Sequence, residues 1–306
     1  MTVTFEKVAI LGIGLIGSSL CHGIREKHLA KVISGHAKSA QTRQVALDIG
    51  LVDTVHEQPG DAVVGADLII LCAPLGVCGA LAKAIAPQLK AGAIVTDVGS
   101  VKGAILRDCS PFIPPGVHFI PGHPIAGTEQ SGPRSGFAAL FVGRWCILTP
   151  PPASDAAAVQ KLMAFWEAMG SMVDVMAADH HDLVLAITSH LPHLIAYNTV
   201  ATAADLETVT NSEVIKYSAS GFRDFTRIAA SDPTMWRDVF LNNKDAVLEM
   251  LGRFTEELAV LQRAVRWGDG ETLFNLFARA REVRRGIIAA GQDTDAPDFG
   301  RGRPKI

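Results

Sequence analysis

A doubly wound α/β half followed by an all-helical half is what this sequence predicts, and three observations carry the prediction. Short apolar runs of strand length alternate with helical stretches through the first half of the chain. A glycine-rich turn joins the first of these runs to the first helical stretch. Beyond Pro150-Pro151-Pro152 the pattern becomes almost continuously helical. Strands separated by helices require crossover connections, which build a parallel sheet covered on both faces.

Each element follows from its own residues. Lys7–Leu11 is a compact apolar run, and a helical stretch extends from Leu15 to about Lys27. Lys31–Ser34 is the second strand. Asp67–Cys72 and Ala93–Val98 are apolar on both faces, as interior parallel strands must be, with a helical stretch over Val77–Leu89 between them. Val117–Ile120 and Trp145–Leu148 are further strand candidates, and Met172–Val175 is the one strand-like run after the prolines. Asp179–Asp205 is helical with a break predicted near Pro192; Asp179 would cap it and His180-His181 would form a solvated start. Pro233 suits the first turn of a helix capped by Asp232 and running towards Trp267. In Glu271–Ala290, Leu273, Leu276, Phe277, Val283 and Ile287 recur at amphipathic spacing. The tail from Gln292 is rich in Asp, Gly, Pro and Arg and is expected to be loose. The expected organisation is an α/β domain over residues 1–152, a helical domain over 153–292 and a tail over 293–306. The apolar stripes of the helical domain need a partner, so a homodimer across a two-fold axis is expected.

Composition narrows the function. The 306 residues are 48% hydrophobic and 19% charged, which is enough apolar material for a large core and too little charge for disorder. The net charge of −3 argues against nucleic-acid binding by phosphate neutralisation and against a polybasic membrane surface. Five cysteines are scattered without a C-x-x-C pair, the pattern of reduced thiols in a cytoplasmic protein. Met1–Lys7 shows no signal-peptide pattern, and no apolar run is long enough to span a bilayer.

Gly12-x-Gly14-x-x-Gly17 follows a strand and opens a helix, the context in which this fingerprint binds a dinucleotide. Gly12 permits the tight turn, Gly14 lets the backbone approach a pyrophosphate, and Gly17 lets the helix pack on the strand, with Leu15 and Ile16 in the first helical turn. The first half is therefore of Rossmann type. About twenty residues past Gly17, a carboxylate would select the ribose 2′-hydroxyl of NAD. Ala37 stands there instead, followed by Lys38 and Ser39, with Arg43 nearby. Both NADP and NAD stay open, and a 2′-phosphate is admitted.

Three further segments carry chemistry. Asp97-Val98-Gly99-Ser100-Val101-Lys102 lies at the carboxyl end of a strand, where ligands of open α/β sheets bind. Gly122-His123-Pro124-Ile125-Ala126-Gly127-Thr128-Glu129 follows another strand. Ser189-His190-Leu191-Pro192-His193 and Gly221–Arg227, with Ser231–Trp236 after them, lie in the helical half. His190 and His193 share one helical face, but no HExxH motif or third ligand accompanies them, so they are expected to line a pocket rather than hold a metal.

On these motifs, in this order and over nearly the whole chain, the sequence resembles the prephenate/arogenate (cyclohexadienyl) dehydrogenases of tyrosine biosynthesis. The resemblance implies NAD(P)-dependent oxidative decarboxylation of prephenate to 4-hydroxyphenylpyruvate, of arogenate to tyrosine, or of both. It also implies His123 as the group accepting the hydroxyl proton, and Ser100 as the serine orienting that histidine near the nicotinamide. Ser100 also precedes a helical stretch and could cap it, a role compatible with the first. Arg227 matches the arginine that grips a substrate carboxylate. His190, His193, Thr128 and Glu129 are expected in the substrate pocket, and Trp236 is expected to pack beside it. No fused chorismate mutase or regulatory domain is expected, so tyrosine feedback, if present, would act at the active site. The rival enzyme class, β-hydroxyacid dehydrogenases, would use a helical lysine where this chain offers His123.

Overall fold

The computed structural model describes residues 4–128, 130–210 and 213–289. It divides into two compact units, Met1–Leu248 and Glu249–Ile306. The expected loose tail from Gln292 lies outside the described residues. No helix among the described residues is long and apolar enough to cross a membrane.

The first unit is built on a six-stranded sheet of β1 (Phe5–Leu11), β2 (Ala30–His36), β3 (Thr54–His56), β4 (Leu68–Leu71), β5 (Ile94–Asp97) and β6 (His118–Phe119). The order is β3-β2-β1-β4-β5-β6 and every pairing is parallel. This is the doubly wound arrangement, and its chain order reverses between β1 and β4, where a crevice opens beyond the strands' carboxyl ends. The crossovers are α1 (Leu15–Glu26), α2 (Ala40–Asp48), α3 (Pro59–Val63), α4 (Leu75–Ile85) and α5 (Lys102–Cys109). All four residues of β4 and of β5 are buried, as strands covered on both faces must be.

Past the sixth strand the chain leaves the main sheet. β7 (Gly122–Pro124) pairs antiparallel with β8 (Trp145–Leu148), and β8 pairs parallel with β9 (Met172–Val175). The strand candidate Trp145–Leu148 is therefore real but belongs to a second, three-stranded sheet. The ladder continues past the prolines because α6 (Ala156–Ala168) returns the chain to it. Phe165 and Trp166 of α6 are fully buried against Phe5 and Phe141, their rings meeting edge to face. Each such side chain contributes about 1.5–3 kcal/mol by leaving water.

The helical segments of the first unit are α7 (Ala178–Leu185), a π-helical turn over Ala186–His190, α8 (Leu191–Thr210), α9 (Glu213–Lys216), α10 (Ser220–Thr226), a 3₁₀ turn over Arg227–Ala230, and α11 (Pro233–Asn242). Asp232 caps α11, its carboxylate accepting the Met235 N–H at 2.8 Å, with Pro233 in the first turn as expected. The helix does not run on to Trp267 unbroken. Asn243 leaves helical geometry at φ −107°, ψ 34°, and α12 (Lys244–Trp267) starts after it. The start of α7 also differs from expectation. Ala177 is its N-cap without a side-chain bond, while Asp179 accepts the adjacent His180 N–H at 2.8 Å. His180 is exposed, but His181 is wholly buried.

The second unit holds the remainder of α12 and all of α13 (Gly270–Ala289). Gly268, at φ 69°, turns the chain between them.

Candidate active site

The glycine turn occupies the crevice between β1 and β4. Gly12 has φ 111°, and a Cβ there would run into the Cys72 carbonyl at the end of β4. A Cβ on Gly17 would strike the Gly12 carbonyl, so α1 can close on the turn only through glycine. Gly14 differs from both, since a Cβ on it would meet nothing within 4 Å. The open space thus lies at the N-terminus of α1, which starts at Leu15, with no side chain capping it and no acidic residue in its first turn. An uncapped helix start with a positive dipole end suits a pyrophosphate, so these residues fit a dinucleotide.

At the end of β2 the basic residues divide. Arg43 bonds the carbonyls of Ala37 and Lys38, both at 2.9 Å, and pairs with Glu57 at 3.2 Å, so it holds the loop. Ser39 caps α2 by accepting the Thr42 N–H at 3.3 Å. Lys38 is exposed on the loop between β2 and α2.

Deeper in, Asp97 and Lys102 join the second and third motifs. Both are fully buried, and Lys102 Nζ reaches Asp97 Oδ2 at 2.5 Å and the Gly122 carbonyl at 2.7 Å. Asp97 also accepts the N–H groups of Gly99 at 2.7 Å and Gly122 at 3.2 Å. A buried pair costs desolvation that only such complete bonding offsets. The result fixes the start of β7, and so the backbone of the next residue, His123.

His123 is 9% exposed, and its Nδ1 lies 2.9 Å from Nε2 of His181. His181 Nδ1 in turn lies 2.8 Å from Asp182 Oδ1. The Asp182 carboxylate also accepts the backbone N–H groups of Lys102 and Gly103, each at 2.8 Å. It therefore does for α5 what a Ser100 cap would have done. Val101, not Ser100, is the N-cap residue of α5, and no side chain near it in sequence caps the helix. Ser100 lies half-buried between β5 and α5, and no hydrogen bond joins it to His123 among the described residues.

His190 is also wholly buried. The Asn243 amide donates to His190 Nδ1 at 3.0 Å and to the Asp182 carbonyl at 2.8 Å. His190 Nε2, its remaining donor, is buried without a partner among the described residues. His193 Nδ1 donates to the Ser189 carbonyl at 2.9 Å, and its ring stacks on Trp236 at 3.6 Å. The π-helical turn that carries Ser189 and His190 has a local cause. Pro192 has no N–H for the Thr188 carbonyl, and the Leu191 N–H bonds Ala186, five residues back.

Burial lowers the pKa of all four histidines. For His123 the shift is well below the ordinary value, with the charges of His181, Lys102 and His190 adding to it. His181 is lowered by burial against the opposing Asp182 bond, and His190 falls to about 4. His193 is lowered by burial and further by the charge of Arg227, which brings Arg227 electrostatically into the same cluster. Arg227 itself is exposed, in the 3₁₀ turn that follows α10. Thr128 is exposed, its hydroxyl accepting the Gln130 N–H at 3.2 Å, and Glu129 lies outside the described residues.

Sequence reasoning missed His181, Asp182 and Asn243. A usable signal existed for the first two. They occupy the same stripe of α7 and its continuation as buried Leu185 and Ala186, and polar residues on a buried stripe need partners. Asn243 gave no such signal, because its role depends on the helix ending beside it.

The comparisons with known proteins agree with this geometry. The family model for the prephenate dehydrogenase nucleotide-binding domain matches residues 20–175, and that for the prephenate dehydrogenase dimerization domain matches residues 177–279. A cyclohexadienyl dehydrogenase of Zymomonas mobilis is 40% identical over 93% of this chain and 96% of its own. A crystal structure of prephenate dehydrogenase from A. aeolicus, in complex with hydroxyphenyl propionate and NAD+, superposes with a TM-score of 0.87. It is 32% identical, over 94% of this chain and 100% of that one. Arogenate dehydrogenase from Synechocystis gives a TM-score of 0.78 at 28% identity, over 92% of this chain and 99% of that one.

Proposed function

The chain belongs to the prephenate dehydrogenase family, and we propose that it oxidatively decarboxylates prephenate, arogenate or both with a nicotinamide dinucleotide. The observation that carries this reading is His123. It is a histidine held neutral by burial, in a cluster with His181 and His190, and it follows the residue fixed by the Asp97–Lys102 pair.

A nicotinamide dinucleotide held at the glycine turn would supply a hydride acceptor for the carbinol carbon of the substrate ring. As that hydride leaves, His123 takes the hydroxyl proton. The bond to the carboxylate on the opposite ring carbon then breaks, and its electron pair passes through the ring to the oxygen, which recovers the proton. Carbon dioxide and an aromatic phenol result. Arg227 is suited to grip a substrate carboxylate through its guanidinium fork, and the buried His190 Nε2–H is a further donor. Thr128 and Glu129 are proposed to position the substrate side chain, and Ser100 to act near the nicotinamide. The rival lysine chemistry is disfavoured because Lys102 is committed to Asp97 and Gly122.

The finer cofactor reading is that NADP is accepted alongside NAD. No carboxylate occurs within Ala37–Ser39 to select the ribose 2′-hydroxyl, the nearby Glu57 carboxylate is paired with Arg43, and Lys38 is exposed on the loop. Initial rates of nicotinamide reduction, measured with prephenate and with arogenate and with each dinucleotide, test the whole proposal. Protein silent with both substrates would sink it. Lys38→Ala is expected to raise KM for NADP and leave that for NAD unchanged.

A further inference from the structure

Three residues in line decide where the protons of two imidazoles lie. Both oxygens of Asp182 already accept backbone N–H groups, Oδ1 from Lys102 and Oδ2 from Gly103. Its Oδ1 also faces His181 Nδ1 at 2.8 Å. An oxygen serving one N–H donor acts as an acceptor towards the next, so His181 carries its ring proton on Nδ1. Neutral His181 then presents a lone pair on Nε2. That nitrogen lies 2.9 Å from His123 Nδ1, and one of the two must donate. His123 therefore carries its own proton on Nδ1.

We propose that His181 and Asp182 are positioning residues that lock His123 in its Nδ1-protonated tautomer, leaving Nε2 bare to accept the substrate hydroxyl proton. This rests on the reading of His123 as the proton acceptor. The alternative tautomer would present an N–H to the substrate and could not take the proton at all. The relay is well placed for this task because the carboxylate is itself held rigidly. It sits at the N-terminus of α5, where two N–H groups and the helix dipole favour it. The other charged or titratable groups acting on His123 are Lys102 and His190. Neither is hydrogen-bonded to the ring among the described residues, so neither chooses its tautomer.

Two measurements test the proposal. The first needs no variant at positions 181 or 182. Imidazole ¹⁵N shifts of the histidine-labelled protein, assigned by loss of the His123 signals in His123→Asn, report which nitrogen bears the proton. A protonated Nδ1 and a bare Nε2 are expected, and the reverse would overturn the proposal. The second compares His181→Leu with His181→Gln. Leucine removes the acceptor, and kcat is expected to fall on the order of 10²-fold with KM nearly unchanged. Glutamine restores an amide oxygen able to accept the same N–H and should recover most of the loss. Equal losses in both variants would indicate a structural role only. If the wild-type protein fails with both substrates, the reaction is wrong, yet the ¹⁵N shifts still decide the tautomer.

Discussion

Taking an imidazolium out of water costs far more than taking out an imidazole, and His123 is buried beside a second histidine and near a buried lysine cation. The sign of the resulting pH dependence follows directly. A base works only when neutral, and a lowered pKa extends its neutral form to more acidic pH. The kcat/KM profile is therefore expected to be flat through neutrality and to fall only below the usual histidine range. In His123→Asn, kcat should drop by about 10²–10⁴-fold. An unchanged kcat would remove His123 from the reaction. Arg227 poses a different residue-scale question, because its charge is exposed to water and a bare point charge there gives little. Geometry has to carry its role. Arg227→Lys keeps the charge and loses the fork, so KM should rise by about 10–100-fold, equivalent to about 1.4–2.8 kcal/mol. The melting temperature should stay where it is, and unchanged kinetics would count against contact with substrate.

Among the elements, the π-helical turn is where local chemistry and the site meet most directly. Proline inside a helix forfeits a hydrogen bond and costs roughly 3 kcal/mol, so Pro192 has to be offset by what it positions. It sets the wide turn that directs buried His190 towards Asn243 and carries His193 onto Trp236. Pro192→Ala permits an ordinary α-helical turn. The expected outcome is a melting temperature equal to or above that of the wild type, together with a clear loss of kcat/KM. A stable variant with full activity would show that the wide turn is incidental. The break near Pro192 was legible from the sequence because a missing N–H is a property of one residue. That the break would be a π turn was not, since it depends on which carbonyl the Leu191 N–H finds. The same limit applies to α5. Its expected Ser100 cap is replaced by Asp182, 80 positions along the chain from Lys102, and no local pattern reveals a partner at that separation.

For the whole molecule, legibility follows the range of the interaction that fixes each feature. The parallel sheet and the glycine turn were visible because apolar runs and glycine spacing are local, and the motif residues were visible only through their resemblance to a known family. The second sheet was not, because β7 and β8 pair across a long intervening segment, and composition changes at the prolines while the ladder continues to Val175. The stripe of α7 marked His181 and Asp182 as buried, but their pairing with His123 is non-local and escaped for the same reason. Assembly is the remaining property that a single chain does not display, and the second unit argues for it by itself. Val265, Trp267, Phe274, Phe277 and Val283 are all more than half exposed on α12 and α13. Exposed aromatic side chains gathered on two helices are unfavourable in water and typical of an interface between copies. We propose a homodimer through these helices. Light scattering coupled to gel filtration should give twice the chain mass. The double variant Phe274→Asp, Phe277→Asp places charges within the apolar surface, so it should shift the protein to monomer and weaken its stability at low concentration. A wild-type protein monomeric at micromolar concentration, or a double variant that stays dimeric, would place the contact elsewhere.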